Sequence, residues 1–224
     1  MRNALRTLPI LLLLLGLEAA ALYGQTAGNA SGGSTILWSP PRIGWPDELP
    51  PSTVPQEMIG TLHVADMRII LEDTALENAQ KHFGGPIGSR GDAGEAEGWL
   101  CLHGSDSNGP WIFWLTSGEI DGPAIDGFQW RRLSAGEAPD RRCHTLPLGN
   151  SRIELPIPIR LGTSETEARR TLGRPTFARG KLLIFCHEHQ TIIDRENYTV
   201  SNNIAVVLRD GVVWAIQVAK STSN

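Results

Sequence analysis

From residue 59 onward, short apolar runs with a period of two alternate with two segments that carry helix signals. In the second half, Ser164 and Glu167 form the pattern in which each side chain satisfies a free backbone N–H at a helix start. Gly173 can adopt the left-handed conformation that ends a helix, and Pro175 prevents its continuation. These signals predict a helix of about two turns between residues 164 and 173.

The first half contains the same signals in the same order. Thr74 and Glu77 form the same capping pattern, and Phe83-Gly84-Gly85-Pro86 is a helix stop. The distance from cap to terminal glycine is ten residues here and nine in the second half. One residue of difference is typical of a diverged repeat.

The last strand of each half is preceded by a turn dipeptide, Asp126-Gly127 or Asp210-Gly211. Trp130 and Trp214 each follow the glycine of their dipeptide by three residues. The recurrence of helix starts, helix stops and these turns in one order predicts a tandem repeat.

Alternating apolar residues predict three strands after each helix, at 98–103, 111–117, 127–133, 181–189, 203–209 and 212–220. On the last strand, Val212, Trp214, Ile216 and Val218 are expected to share one apolar face. A short helix and a one-sided sheet both need cover, so each half should place its helix on its own sheet. The predicted fold class is α+β, with two tandem repeats of short helices packed on an antiparallel sheet.

The first residues differ in character from the rest. Arg2 and Arg6 precede an almost wholly apolar run from Leu8 to Leu17, and three alanines at 19–21 follow. This order is typical of a secretory signal peptide, here residues 1–21, and the apolar run is shorter than the roughly 20 residues that span a bilayer. It predicts a periplasmic or secreted protein with no integral membrane segment after signal cleavage.

Residues 22–58 are rich in glycine, serine, threonine and proline, and we interpret them as an extended linker. Trp38 and Trp45 within it are candidates for docking on the folded part. The remaining chain then divides into a first repeat at 59–150 and a second at 151–224.

Loss of Arg2, Arg6 and Glu18 with the signal leaves 18 basic and 23 acidic residues, a net charge of −5. This mild acidity favours neither nucleic acid nor an anionic membrane surface as a partner.

The segment from Gly162 to Ala168, followed by Leu172-Gly173-x-Pro175 and antiparallel strands, resembles the SmpA/BamE-like domain. A tandem form of that domain occurs in β-lactamase inhibitory protein. The resemblance covers 153–218 well and 60–133 more weakly. It implies two short helices on an antiparallel sheet, in an extracytoplasmic protein that binds other proteins with the open sheet face or its edge loops.

The chain departs from both relatives in its cysteines. It has no cysteine near the cleavage site for a lipid anchor, and three cysteines cannot supply a disulfide in each repeat. These departures argue against an outer-membrane assembly role, and β-lactamase inhibition does not carry over.

The strand at 111–117 is apolar on both faces, so either another segment covers its second face or that face binds a partner. Aromatic and arginine side chains are enriched in binding hot spots. The predicted binding surface consists of Trp99, His103, Trp114, Gln129 and Arg131.

The sequence Cys186-His187-Glu188-His189 is the strongest metal candidate, because alternate strand residues share a face and a His-x-His pair can chelate a divalent ion. Cys101 and His103 have the same spacing. The competing interpretation is one disulfide among Cys101, Cys143 and Cys186, with three pairings open, and histidines near strand ends.

The chain has no Gly-x-Ser-x-Gly elbow, His-Glu-x-x-His helix or phosphate loop. The favoured function is therefore an exported, non-enzymatic binding protein that recognises another protein through an exposed sheet face and needs no cofactor. The alternatives are a periplasmic metal-binding protein that uses the His-x-His and a cysteine, and a small hydrolase with an unidentified site.

Overall fold

The computed structural model describes residues 34–41, 59–92, 96–118, 122–147 and 152–224. The predicted signal peptide and Trp45 lie outside these residues. Strands account for 56% of the described residues and helices for 10%, so the protein is mostly β.

The strands, in chain order, are β1 (Thr35–Leu37), β2 (Thr61–Val64), β3 (Met67–Ile70), β4 (Ile87–Arg90), β5 (Glu97–Asp106), β6 (Gly109–Gly118), β7 (Gly127–Arg132), β8 (Glu137–Pro139), β9 (His144–Thr145), β10 (Ile153–Glu154), β11 (Phe177–Arg179), β12 (Leu182–Ile193), β13 (Glu196–Arg209) and β14 (Val212–Ser223). The two helices are α1 (Leu76–Phe83) and α2 (Glu165–Leu172).

One nine-stranded sheet dominates the molecule, in the order β11-β12-β13-β14-β7-β6-β5-β4, with β9 beside β5. Its strands pair antiparallel except for β9, which is parallel to β5. Two small sheets accompany it, β10-β2-β3 and the parallel pair β1-β8.

The prediction of an α+β fold, with two tandem repeats of short helices on their own sheets, was wrong. Residues 127–131 of β7 pair with residues 219–215 of β14, so strands from both halves merge into one continuous sheet. The helices have only eight residues each, too few to define layers of their own.

The main core lies between one face of this sheet and the segments that cover it. From α1 it takes Leu76, Ala79 and Phe83, and from α2 Ala168 and Leu172. The β2–β3 hairpin adds further apolar side chains to the same core, namely Leu62, Val64 and Ile69. The helices therefore share this cover with a hairpin that periodicity did not predict.

The two helix starts differ from each other. Ser164 caps α2 by accepting a hydrogen bond from the Glu167 N–H at 3.2 Å, which is the Ser164 half of the predicted pattern. The cap residue of α1 is Ala75 rather than Thr74, and the Thr74 hydroxyl instead accepts from the Ile70 N–H at 2.9 Å. The first predicted capping pattern was therefore wrong.

A β-bulge near the start of β14 reorients its side chains. Val213 and Ala215 pair with consecutive residues of β13, and Trp214 between them pairs with none. An extra residue shifts the alternation of a strand, so Val213 and Ile216 both point into the core. The prediction that Trp214 and Val212 share a face with Ile216 was wrong for this reason.

Asn202 anchors the chain where the described residues resume at Ile59. Its buried amide accepts from the Ile59 N–H at 3.3 Å and donates to the Ile59 carbonyl at 2.8 Å. Asn202→Leu would leave both buried backbone groups of Ile59 without a partner.

We expect Asn202→Leu to lower the free energy of unfolding by about 2–4 kcal/mol, measured by urea denaturation with tryptophan fluorescence. Asn203→Ala, at the half-buried neighbouring position, is the control and should cost less than about 1 kcal/mol. Equal losses in the two variants would contradict an anchoring role.

Candidate functional site

The five predicted binding residues lie on the face of the large sheet that points away from the helices, called the outer face below. Strand register places Trp114 between Cys101 and Gln129. In the next row, Ile112 lies between His103 and Arg131. The row on the other side of Cys101 begins with Trp99.

Residues 34–41, called the strap below, cover the aromatic part of the outer face. The Trp38 ring packs edge-on against Trp99 at 5.9 Å, and Trp114 Nε1 donates to the Trp38 carbonyl at 2.9 Å. Trp99 is only 3% exposed and Trp114 is 0% exposed. The strap therefore covers these two residues, and they form no open binding surface.

Several contacts hold the strap in place. The Asp140 N–H donates to the Leu37 carbonyl at 2.8 Å, and the Arg142 guanidinium lies 4.2 Å from the Trp38 ring centre. On the other side, Arg90 donates to the Pro40 carbonyl at 2.8 Å. The strap thus lies between two arginines that bind it by stacking and by hydrogen bonding.

Arg142 is itself oriented by a carboxylate. Its Nε donates to Asp140 at 2.8 Å, and this hydrogen bond lowers the pKa of Asp140 to about 2. The carboxylate is therefore ionised at every pH above mild acid, and Arg142 keeps its partner.

The disulfide joins Cys101 and Cys143, which resolves the three pairings that the sequence left open. It ties β5 to the segment that carries Arg142 and β9. Cys186 is a buried thiol outside the disulfide, and burial raises its pKa.

His103 lies two residues after Cys101, at the end of the row that contains Ile112 and Arg131. Its Nε2 is 2.8 Å from the Thr145 hydroxyl, and the ring is half-buried. Burial, and then the charge of the nearby His144, lower the pKa of His103, so its neutral form is favoured at neutral pH.

Gln129 and Arg131 lie at the centre of the outer face, where β7 meets β14. Gln129 pairs with Gln217 across this junction, and the Oε1 atoms of both are buried without a hydrogen-bond partner. Arg131 forms an ion pair with Glu137 at 3.0 Å, while its buried Nε has no partner. Buried polar atoms without a hydrogen-bond partner are rare in native proteins.

The binding surface predicted from the sequence did not include Trp214, which extends this central region toward solvent. Two guanidinium groups contact the half-buried Trp214 ring, Arg131 at 5.0 Å and Arg209 at 4.3 Å from the ring centre. Arg209 is exposed and donates to the Ser134 hydroxyl at 3.0 Å. No signal in the sequence indicates this cluster, because the β-bulge alone turns Trp214 to the outer face.

The metal candidate is not assembled in the fold. His187 Nε2 lies 3.2 Å from His189 Nδ1. Cys186 points to the opposite face of the sheet, where it packs with Ile184 and Ala205. Cys101 is in the disulfide. Within the described ranges, no three His, Cys, Asp or Glu side chains come close enough to hold a metal ion.

Neither helix in the described part of the chain has the length and apolarity that a membrane crossing requires. Comparisons with protein-family models, curated proteins and solved structures found no match. The resemblance to the SmpA/BamE-like domain stays a prediction.

Proposed function

We propose that this chain is an exported, non-enzymatic binding protein that recognises another protein through the part of the outer face that the strap leaves uncovered. The observation that supports this proposal is the stack of Arg131, Trp214 and Arg209. Tryptophan and arginine are the residue types most enriched in binding hot spots, and here they are held together at a partly solvent-exposed position.

The stack also favours one chemistry in the partner. Arg131 has a carboxylate partner in Glu137, whereas the hydrogen bond of Arg209 goes to an uncharged hydroxyl. Arg209 can therefore form an ion pair with an acidic side chain of the partner protein. Val212, 38% exposed and two residues from Trp214, adds an apolar contact. The partner surface should combine a carboxylate with an apolar or aromatic side chain.

The proposed binding surface lies further along the sheet than the one predicted from the sequence. Trp99, Trp114 and Gln129 are buried. Arg131, whose side chain is only 11% exposed, contacts the Trp214 ring, and Trp214 and the exposed Arg209 form the proposed binding surface. Export rests on the signal sequence at 1–21, which lies outside the described residues.

Site-specific crosslinking in the native host tests the proposal. A photoreactive side chain at Val212 should capture a defined protein, and one at the exposed Lys81 of α1, on the helix side, should not. The captured protein, once purified, should bind Trp214→Ala at least about 30-fold more weakly, since hot-spot truncations cost about 2 kcal/mol or more.

Arg209→Lys against Arg209→Ala separates stacking from charge. Lysine retains the charge but not the planar group that lies on the indole. We expect Arg209→Ala to weaken binding more than Arg209→Lys, measured by calorimetry. Capture of the same proteins from Val212 and Lys81, or unchanged affinity of Trp214→Ala, would contradict the proposal.

A further inference from the structure

The β12–β13 hairpin extends well past the strands around it. Twelve residues of β12 pair with β13, whereas β11 covers only Leu182 to Ile184 of β12. The hairpin closes at Asp194 and Arg195, which both have positive φ, 51° and 73°. This two-residue turn keeps the strands paired to the tip.

The direction of the backbone groups in β12 follows from two hydrogen bonds. The Lys181 carbonyl accepts from Leu208 N–H at 2.8 Å on the β13 side, and the Ile184 carbonyl accepts from Thr176 N–H at 2.8 Å on the opposite side. In an antiparallel strand, N–H and C=O of one residue point the same way and successive residues alternate. The backbone N–H and C=O groups of the even-numbered residues in β12 therefore point away from β13.

Residues 188–193 of β12, called the free edge below, extend this pattern beyond β11. The N–H and C=O groups of Glu188, Gln190 and Ile192 point outward, and among the described residues no backbone group pairs with them on that side. Six hydrogen-bonding groups are thus presented in a row.

Apart from the charged Glu188, the free edge lacks the features with which proteins usually protect such strands. It contains no proline or lysine, and its pairing with β13 shows no bulge. Ile192 is 72% exposed and Ile193 is 43% exposed, on opposite faces of the strand. An added strand would cover apolar surface on both faces and satisfy the backbone groups.

We propose that the free edge pairs with the free edge of a second copy of this chain, antiparallel and about a two-fold axis at Gln190. An antiparallel strand pair is self-complementary, so two identical edges exchange the hydrogen bonds that each presents. The large sheets of the two copies then become one. This interface is independent of the Arg131–Trp214–Arg209 stack.

The register follows from charge and from the end of β11. With the axis at Gln190, Glu188 of one copy faces Ile192 of the other, and no like charges meet. With the axis one residue further, at Thr191, Glu188 would face Asp194, which is unfavourable. With the axis at His189, Ile192 would face Cys186, whose N–H already donates to the Thr176 hydroxyl at 3.0 Å.

Sedimentation velocity of the purified chain between about 10 μM and about 1 mM tests the pairing, because short strand interfaces are small and weak. The weight-average sedimentation coefficient should rise toward that of a dimer. Gln190→Pro removes an outward N–H without touching the β12–β13 ladder and should raise the dissociation constant at least tenfold. Gln190→Ala, which keeps the N–H, is the matched control and should dimerise as the wild type does.

Two charge variants at the exposed Ile192 test the register without removing a side chain from the core. Ile192→Glu places a carboxylate opposite Glu188 of the second copy and should abolish dimerisation, whereas Ile192→Lys should preserve or strengthen it. A wild-type chain that stays monomeric at 1 mM, or equal effects of the two charges, would overturn the proposal.

Discussion

Replacement of Cys101 and Cys143 together by alanine is expected to lower the free energy of unfolding by about 4 kcal/mol. The bond closes a loop across a sequence separation of 42 residues, and its loss frees the unfolded chain to sample many more conformations. In the folded state it holds the segment that carries Arg142, which stacks on Trp38. Urea denaturation without reductant measures the loss.

Cys186, the cysteine outside the disulfide, provides the control for this experiment. Cys186→Ala also removes a buried sulfur, 4% exposed, but it opens no loop and should cost about 1–2 kcal/mol. A double variant no less stable than Cys186→Ala would show that the disulfide does not stabilise the segment that carries Arg142.

Trp114→Ala is expected to cost about 3–5 kcal/mol of unfolding free energy, because it removes a fully buried ring from between the sheet and the strap. Trp114→Phe keeps an aromatic ring but loses the hydrogen bond to the Trp38 carbonyl, and should cost less. Guanidinium denaturation of both variants measures the difference.

The half-buried Trp214 serves as the comparison. Trp214→Ala removes a ring that packs on two arginines outside the core clusters, so we expect a loss below about 1.5 kcal/mol. If Trp114→Ala were as stable as the wild type, the strap would not cover this position.

Local structure was largely predictable. The predicted strand at 111–117 lies within β6, and the strand at 127–133 matches β7 to within a residue. The α2 helix begins at its Ser164 cap and ends before Gly173, whose φ is 81°. These features depend on side chain alternation and on the chemistry of single caps, both of which the sequence displays directly.

Two of the features that were missed have turns without sequence signals. The β2–β3 hairpin has four residues per strand and turns at Ala65, a non-glycine residue with φ of 53°. The predicted end of β12 at residue 189 was four residues early, since the strand runs on to the Asp194–Arg195 turn. Neither turn contains the glycine or asparagine on which hairpin prediction depends.

The sequence by itself determined the direction of side chains along strands that have no bulge, and so placed Trp99, Trp114, Gln129 and Arg131 on a common side. Only the tertiary structure decided that β7 pairs with β14, that Trp38 lies over Trp99, and that a bulge turns Trp214 outward. Alternation reports the direction of a side chain relative to its neighbours. What covers that side chain depends on contacts between residues far apart in the chain, which no local pattern encodes.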